Sequence, residues 1–218
     1  MEKNNILTNA FKWLFIGLLI CFGISYTTTL TEDIFYLVYG SFGGYSYLIY
    51  AIAEIVIALI LSLRITKMQP LTAKILYVGY AALTGLSLGG IFLVYTASSL
   101  SFVFLITAIL FGTFAIIGKT TKVDLSKWYV YLFVALLAII ILEIVNVFIL
   151  NSTLNIILCI VTILVFCAYV AYDIQFAINN NFIDNKENMG IYVAFQLFLD
   201  FINLFIKLLR LFGKARDN

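Results

Sequence analysis

The sequence predicts an all-α integral membrane protein, a bundle of about seven transmembrane helices that residues 1–218 form as a single domain. Of the 218 residues, 64% are hydrophobic and 11% are charged, whereas soluble domains have about 45–50% apolar and about 25% charged residues. A chain of this length has no core large enough to hide so much apolar surface, so lipid must cover it. The net charge of +2 is small and scattered, which gives no reason to expect a nucleic-acid partner.

Seven runs of the sequence are long and apolar enough to cross a bilayer, whose core of about 30 Å needs about 20 helical residues. The first run has no small-residue cleavage site, so we predict a helix and not a signal peptide. The third begins just after Pro70, a residue type that favours the first turn of a helix. The predicted segments are residues 11–30, 45–63, 71–95, 98–118, 128–150, 154–172 and 191–212.

The basic residues predict the orientation of the chain, because cytoplasmic connections are enriched in Lys and Arg. With the N-terminus inside, nine of the 13 basic residues lie in the inner tail and inner connections, and the three outer connections contain none. We therefore predict a multi-pass protein of the cell (inner or plasma) membrane with a cytoplasmic N-terminus. The other four basic residues lie outside if the seventh segment crosses and inside if it re-enters: Lys207, Arg210, Lys214 and Arg216.

The seventh segment carries polar residues at spacings of four, three, four, three and four, within an arc of about 80°. One interpretation is an amphipathic helix that lies at the membrane interface. The other is a helix at the centre of the bundle, whose polar stripe lines a water-accessible path. The depth of the first two members of the stripe favours the central helix. The stripe consists of Gln196, Asp200, Asn203, Lys207, Arg210 and Lys214.

Two aspartates are candidates for a functional pair, because a charge near the bilayer centre costs about 2.5–3.5 kcal/mol and needs a partner or a cavity. Asp173 ends the sixth predicted segment, and Asp200 lies about two and a half turns into the seventh. Since these helices run antiparallel, the two carboxylates can approach at similar depth. The alternative is that Asp173 is a solvated residue at a helix end.

Four further polar positions lie in the apolar segments. Glu143 and Asn146 share one face of the fifth segment and are expected to point into the bundle, as pore-lining residues with Gln196 and Asn203. Glu54 and Arg64 lie ten residues apart on the second segment, about 15 Å along the axis, too far for an ion pair with each other.

Arg64 has two open interpretations. It can pair with Asp173 across two helices, because both lie at the inner end of their segments. It can also serve only as a positively charged anchor at the cytoplasmic surface.

Small residues at spacings of four in the third segment predict a close helix contact: Ala81, Gly85 and Gly89. The chain has no histidine, which excludes imidazole proton sensing and catalysis with a histidine base. The three cysteines lie in apolar runs without CxxC spacing, so we interpret them as small buried residues. We expect no permanently bound cofactor.

Several of these stretches also carry a family signature. The sequence reads GKTTKVDLS at 118–126, AYD at 171–173, LFLDFINLF at 197–205 and LLRLFG at 208–213. Together with the glycine-rich third segment, they resemble the Bax inhibitor-1 (transmembrane Bax inhibitor motif) family over nearly the whole chain. The short N-terminal tail is similar to that of bacterial members.

The resemblance implies a seven-helix bundle with the last helix at its centre and a pH-sensitive calcium leak. It implies that Asp173 and Asp200 form the proton-sensing pair and bind the transported Ca²⁺, and that Arg64 and Glu54 take part in gating. The chemistry is coherent, because two adjacent carboxylates in low-dielectric surroundings share one proton. Carboxylate oxygens also suit a hard cation such as Ca²⁺.

Two other functions are compatible with the sequence. The protein can be a membrane interaction protein, since bacterial relatives are linked to membrane-bound ATP-dependent proteases and eukaryotic ones to cell-death regulators. An intramembrane aspartyl protease also uses two aspartates, but it needs Gly-x-Gly-Asp and Pro-Ala-Leu motifs. Here Asp200 follows Leu-Phe-Leu and the only proline is Pro70, so we expect no enzyme.

Overall fold

A computed structural model of the protein describes residues 2–40, 45–179 and 185–216, and this part of the chain is almost entirely helical. Seven of its helices are long and apolar enough to cross a membrane, which confirms the predicted class of protein. The helices are α1 (Glu2–Thr27), α2 (Glu32–Phe35), α3 (Ser46–Arg64), α4 (Pro70–Val94), α5 (Ala97–Thr120), α6 (Tyr129–Ile149), α7 (Ser152–Asn179) and α8 (Lys186–Phe212). A π-helical turn covers Tyr36–Gly40, and 3₁₀ turns cover Ile65–Lys67 and Leu125–Trp128.

Local sequence explains where several helices begin and end. Pro70 occupies the first turn of α4, where its missing N–H removes no hydrogen bond. Leu150 ends α6 in the left-handed conformation, with φ of 55°. The side chain of Asn151 then caps the start of α7, because its Oδ1 accepts from the N–H of Leu154 at 2.9 Å.

The end of α7 differs from the predicted one. The sequence analysis ended this segment at residue 172, but the helix continues to Asn179. Ile174 and Ala177 are buried, so the apolar face of the helix extends beyond Asp173. Asp173 is therefore an interior residue of α7 and is only 6% exposed, so its interpretation as a solvated helix-end residue was wrong.

The described residues form two compact units, and α8 contributes to both. The first unit contains α1 to α4 and the part of α8 that ends at Phe198. The second contains α5 to α7 and the part of α8 that begins at Leu199.

In the first unit, α1 and α4 pack closely through the small residues that the sequence analysis identified. A Cβ atom added at Gly85 would lie 2.6 Å from the carbonyl oxygen of Cys21, so only glycine allows this approach. The hydroxyl of Tyr77 on α4 donates to the carbonyl of Trp13 on α1 at 2.9 Å. The first part of α8 packs on α4, where the rings of Phe195 and Tyr80 are 5.1 Å apart.

In the second unit, α5 approaches α7 at Gly118, where an added Cβ would overlap the backbone of Ala171. The second part of α8 packs on α5 through Phe201, whose ring centroid lies 5.4 Å from that of Phe104 and 5.6 Å from that of Phe111. Most of α6 is exposed and apolar, as expected of a helix that faces lipid.

The course of α8 answers the question that the sequence left open. In its most apolar window 72% of the residues are buried, against at most 39% in the other six long helices. This burial makes the interfacial interpretation wrong and fits the predicted central helix. In the second unit, the N–H of Lys214, just past the end of α8, donates to the hydroxyl of Ser99 at the start of α5 at 2.7 Å. The continuous α8 is long enough to span a membrane and ends beside the start of α5, which favours a crossing over a re-entrant segment.

Candidate functional site

The carboxyl groups of Asp173 and Asp200 meet inside the second unit. Asp173 lies six residues before the end of α7, and Asp200 lies on the antiparallel α8. Their carboxyl groups are close enough to form a hydrogen bond with each other, and Asp200 is only 3% exposed. Because two ionised carboxylates have no hydrogen to share, this contact requires at least one proton on the pair. The structure thus brings together the two aspartates that the sequence singled out.

One oxygen of the pair receives no hydrogen bond from an N–H or hydroxyl group. Oδ2 of Asp200 is buried, and no such donor of the described residues reaches it. The thiol of Cys167 and the phenol of Tyr169, both on α7, are close enough to interact electrostatically with Asp200. Since a buried oxygen without a donor is unfavourable, Oδ2 of Asp200 is a natural ligand for water or a cation.

The other members of the polar stripe on α8 have different partners. Gln196 and Asn203 are half-buried, and Nδ2 of Asn203 donates to the carbonyl of Leu199 at 2.8 Å. Lys207 is buried and forms an ion pair with Glu143 of α6. The sequence analysis placed Glu143 inside the bundle but missed this pair, although Lys207 lies on the same face of α8 as Asp200.

Glu143 and Asn146 line a cavity of about 360 Å³ in the second unit, beside the connection between α6 and α7. Oδ1 of Asn146 accepts from the N–H of Asn151 at 3.1 Å and so holds this connection. The lining is polar except for Val147 and Leu150. Its polar members are Glu143, Asn146, Asn151, Ser152, Asn155 and Arg210.

The two predicted gating residues lie on α3 in the first unit. Glu54 is half-buried and accepts a hydrogen bond from the hydroxyl of Ser87 on α4. Arg64 is exposed and lines a cavity of about 620 Å³ with Lys67 and Thr72. The predicted pairing of Arg64 with an aspartate stays a prediction.

Gln175 is a residue near the pair that the sequence analysis missed. It lies two positions after Asp173, and its Oε1 accepts from the N–H of Leu125 at 2.7 Å. Its Nε2 donates to the carbonyl of Val123, also at 2.7 Å. The buried end of α7 is thus tied to the backbone of the α5–α6 connection. A polar residue two positions after the aspartate was the only signal in the sequence.

The exposed carboxyl of Asp124 in the same connection contrasts with the buried pair. The hydroxyl of Ser126 donates to Asp124 at 2.6 Å and its N–H at 3.0 Å. These two hydrogen bonds lower the pKa of Asp124 below its usual value. Asp124 is therefore ionised at neutral pH and is a useful control in titration experiments.

The described residues contain no group of three or more His, Cys, Asp or Glu side chains that could hold a metal ion together. Asp173 and Asp200 offer at most two carboxylates to a cation. Such a pair is suited to transient binding of a passing ion, since Ca²⁺ normally takes six to eight oxygen ligands.

Seven apolar helices and a buried pair of aspartates define a polytopic α-helical membrane protein with two acidic side chains in its interior. The family model described as inhibitor of apoptosis-promoting Bax1 matches residues 3–217. The chain therefore belongs to the Bax inhibitor-1 family, as the resemblance predicted.

Bacterial relatives align over most of the chain. An uncharacterised protein of Borreliella burgdorferi is 34% identical over 224 aligned residues, which cover 99% of this chain and 94% of the relative. The inner membrane protein YbhL of Escherichia coli (strain K12) is 38% identical over 171 residues, or 76% of this chain and 73% of YbhL. The protein RP147 of Rickettsia prowazekii is 33% identical over 211 residues, with coverages of 95% and 88%.

Proposed function

We propose that this protein is a pH-sensitive leak channel for Ca²⁺ in a bacterial inner membrane, regulated by the proton that Asp173 and Asp200 share. The observation that carries the proposal is the buried hydrogen bond between these two carboxyl groups. Such a pair is unfavourable for stability alone, because buried carboxyl groups lose hydration. It is useful where the gain or loss of one proton must change the state of the protein.

The proton and a cation compete for the same oxygens in this mechanism. With the proton bound, the pair carries one negative charge at most and holds α7 to α8. Loss of the proton adds a second charge, so the carboxylates repel each other and attract a hard cation. Oδ2 of Asp200, to which no N–H or hydroxyl group of the described residues donates, is the oxygen that we propose for that cation. Replacement of the proton by a cation shifts the equilibrium between two arrangements of the aspartate pair.

The remaining polar residues have supporting roles in the proposal. Gln196 and Asn203 lie on the same stripe of α8 as Asp200, and Glu143 and Asn146 line the polar cavity; we propose that these four line the path of the ion. Glu54 and Arg64 are the proposed gating residues. The guanidinium of Arg64 is exposed, and in the proposal it pairs with a carboxylate in one of the two states.

The proposal predicts that Ca²⁺ flux depends on pH between about 5 and 8, the interval that a buried, paired carboxylate can reach. Asp173→Asn and Asp200→Asn should each flatten this dependence, because an amide cannot gain or lose the shared proton. The double variant should add little, since the two residues titrate as one unit. The measurement is Ca²⁺ uptake into liposomes that contain only the purified protein and an internal calcium dye.

Asp124→Asn is the matched control, because it removes an exposed carboxylate of the second unit that is already ionised at neutral pH. It should leave the pH profile of the flux unchanged. If both variants of the buried pair keep the wild-type profile, the shared proton is not the switch, and Glu54 or Glu143 becomes the next candidate.

A further inference from the structure

The turn that joins α3 to α4 in the first unit carries two basic side chains at a cavity of about 620 Å³. Arg64 ends α3, Lys67 lies in the 3₁₀ turn, and Thr72 lies in the first turn of α4. All three line the cavity, and none of the described residues that line it is acidic. The charge of the lining therefore suits an anion, and the volume lies within the range of about 300–1,000 Å³ that is common for sites of small molecules.

The rest of the lining is mainly apolar and lies deeper in the predicted membrane. Ile60 lies one turn before Arg64 on α3, and Leu76 lies one turn after Thr72 on α4. Leu63, which also lines the cavity, is 75% exposed, as expected of a side chain that contacts lipid. Positive charge at the helix ends and apolar surface one turn further in match the headgroup and the acyl chain of a phospholipid.

The first part of α8 holds this turn in place. Nδ2 of Asn188, a buried residue, donates to the carbonyl of Ile65 at 2.9 Å and to that of Met68 at 2.8 Å. The backbone is thus fixed on both sides of Lys67, so a ligand bound there pays less for ordering of the site. A positively charged anchor at the membrane surface needs neither a cavity nor a fixed turn, which favours a binding site over a simple anchor.

We propose that this cavity binds one anionic phospholipid, with the phosphate between Arg64 and Lys67 and an acyl chain along Ile60 and Leu76. A guanidinium forms paired hydrogen bonds with phosphate oxygens, and an ammonium adds a second positive charge. The hydroxyl of Thr72 is a further donor.

The membrane surroundings support this choice of ligand. The predicted orientation places the turn at the cytoplasmic surface, where basic pockets between transmembrane helices bind anionic headgroups. The lipid site does not depend on the proposed leak. Its consequence for gating does rest on that function, because a phosphate at Arg64 competes with any carboxylate that the guanidinium takes as its partner.

Native mass spectrometry of delipidated protein, titrated in detergent with phosphatidylglycerol, tests the site. The wild type should bind its first phosphatidylglycerol more tightly than phosphatidylcholine, whose choline group cancels the charge of the phosphate. Arg64→Gln and Lys67→Gln should each weaken this first binding about fivefold, and the double variant about thirtyfold. Lys67→Arg keeps the charge and should bind as the wild type does.

Lys119→Gln/Lys122→Gln is the matched control. It removes two exposed lysines from the same predicted side of the membrane, at the end of α5 and outside the cavity. Its first binding of phosphatidylglycerol should equal that of the wild type. Equal weakening in the control would overturn the proposal, because the effect would then come from net charge. Unchanged binding in Arg64→Gln/Lys67→Gln would overturn it as well.

Competition with inorganic phosphate identifies the source of the anion. Phosphatidylglycerol should stay bound in an excess of inorganic phosphate, because only the lipid has an acyl chain to place against Ile60 and Leu76. Ile60→Ser should weaken the binding of phosphatidylglycerol, although it changes no charge. Displacement of the lipid by inorganic phosphate, together with wild-type affinity in Ile60→Ser, would show a site for the free ion and refute the lipid site.

Discussion

Gln175 is the residue that holds the α5–α6 connection to α7, through hydrogen bonds with the backbone of Val123 and Leu125. Gln175→Met should destabilise the protein by roughly 1–3 kcal/mol, because both backbone groups lose their partner. Hydrogen exchange at the amide of Leu125, followed by mass spectrometry in detergent, should become faster. Unchanged exchange in this variant would show that the connection is held by other contacts.

Gln175→Glu distinguishes the two hydrogen bonds, because it keeps one of them and removes the other. A carboxylate still accepts from the N–H of Leu125 but cannot donate to the carbonyl of Val123. Protection of the Leu125 amide should therefore persist in this variant, while part of the stability is lost.

At this scale the sequence predicts which residues matter better than it predicts their partners. Asp173 and Asp200 were identifiable because charge inside an apolar segment needs an explanation. The partner of Lys207 could not be identified from the sequence. It depends on the rotation of α6 and α8 about their axes, which apolar runs do not specify. The two bonds of Gln175 were missed for a related reason: backbone groups in connections leave no pattern in the sequence.

Among the helices, the contact between α5 and α7 is the one that most directly positions the aspartate pair. Gly118→Val should separate these helices, because the new side chain would overlap the backbone of Ala171, two residues before Asp173. We expect a cost of roughly 1–3 kcal/mol and a changed pH profile of Ca²⁺ flux. Thermal unfolding in detergent and the liposome assay measure the two effects.

Gly112→Val is the control on the same helix. No atom lies within 4 Å of a Cβ added at Gly112, and valine favours a helix slightly more than glycine does. Its stability and pH profile should match those of the wild type. Equal effects of the two substitutions would mean that valine disturbs α5 itself and not its contact with α7.

All seven long helices were predictable from apolar length, because the bilayer imposes a minimum on each crossing. Their ends were less predictable. The segment after residue 172 contains polar residues and resembles a connection, yet the buried Ile174 and Ala177 keep it helical. The short α2 and the π-helical turn at Tyr36–Gly40 were not predicted either, because they are too short to give a periodic signal.

For the molecule as a whole, the distribution of charge predicts a cytoplasmic N-terminus. Single cysteines in a cysteine-free background test it: label added outside cells should react at Ser152→Cys, between α6 and α7, and fail at Ser126→Cys, between α5 and α6. The reverse pattern would overturn the orientation. Arg216→Cys should react together with Ser152→Cys, because the N–H of Arg216 donates to the carbonyl of Val94 at the end of α4, which the predicted orientation places outside.

This topology leaves four basic residues at the outer end, against the usual bias. The nine basic residues that the prediction places in the cytoplasm still outnumber them, so the prediction rests on the first six segments. The outer four are Lys207, Arg210, Lys214 and Arg216.

The ion pair of Lys207 and Glu143 has a consequence for which cations can bind at Glu143, because monovalent and divalent ions compete differently with the lysine. A tethered ammonium is present beside the carboxylate at an effective concentration on the order of millimolar or higher, whatever the composition of the medium. A free monovalent ion gains no more Coulomb energy at Glu143 than the ammonium does, whereas a divalent ion gains about twice as much at the same distance. Potassium and sodium at ordinary concentrations therefore displace the lysine poorly, and calcium or magnesium displaces it more readily. Under the proposed function, Lys207 would therefore be the ion with which each cation that reaches Glu143 must compete.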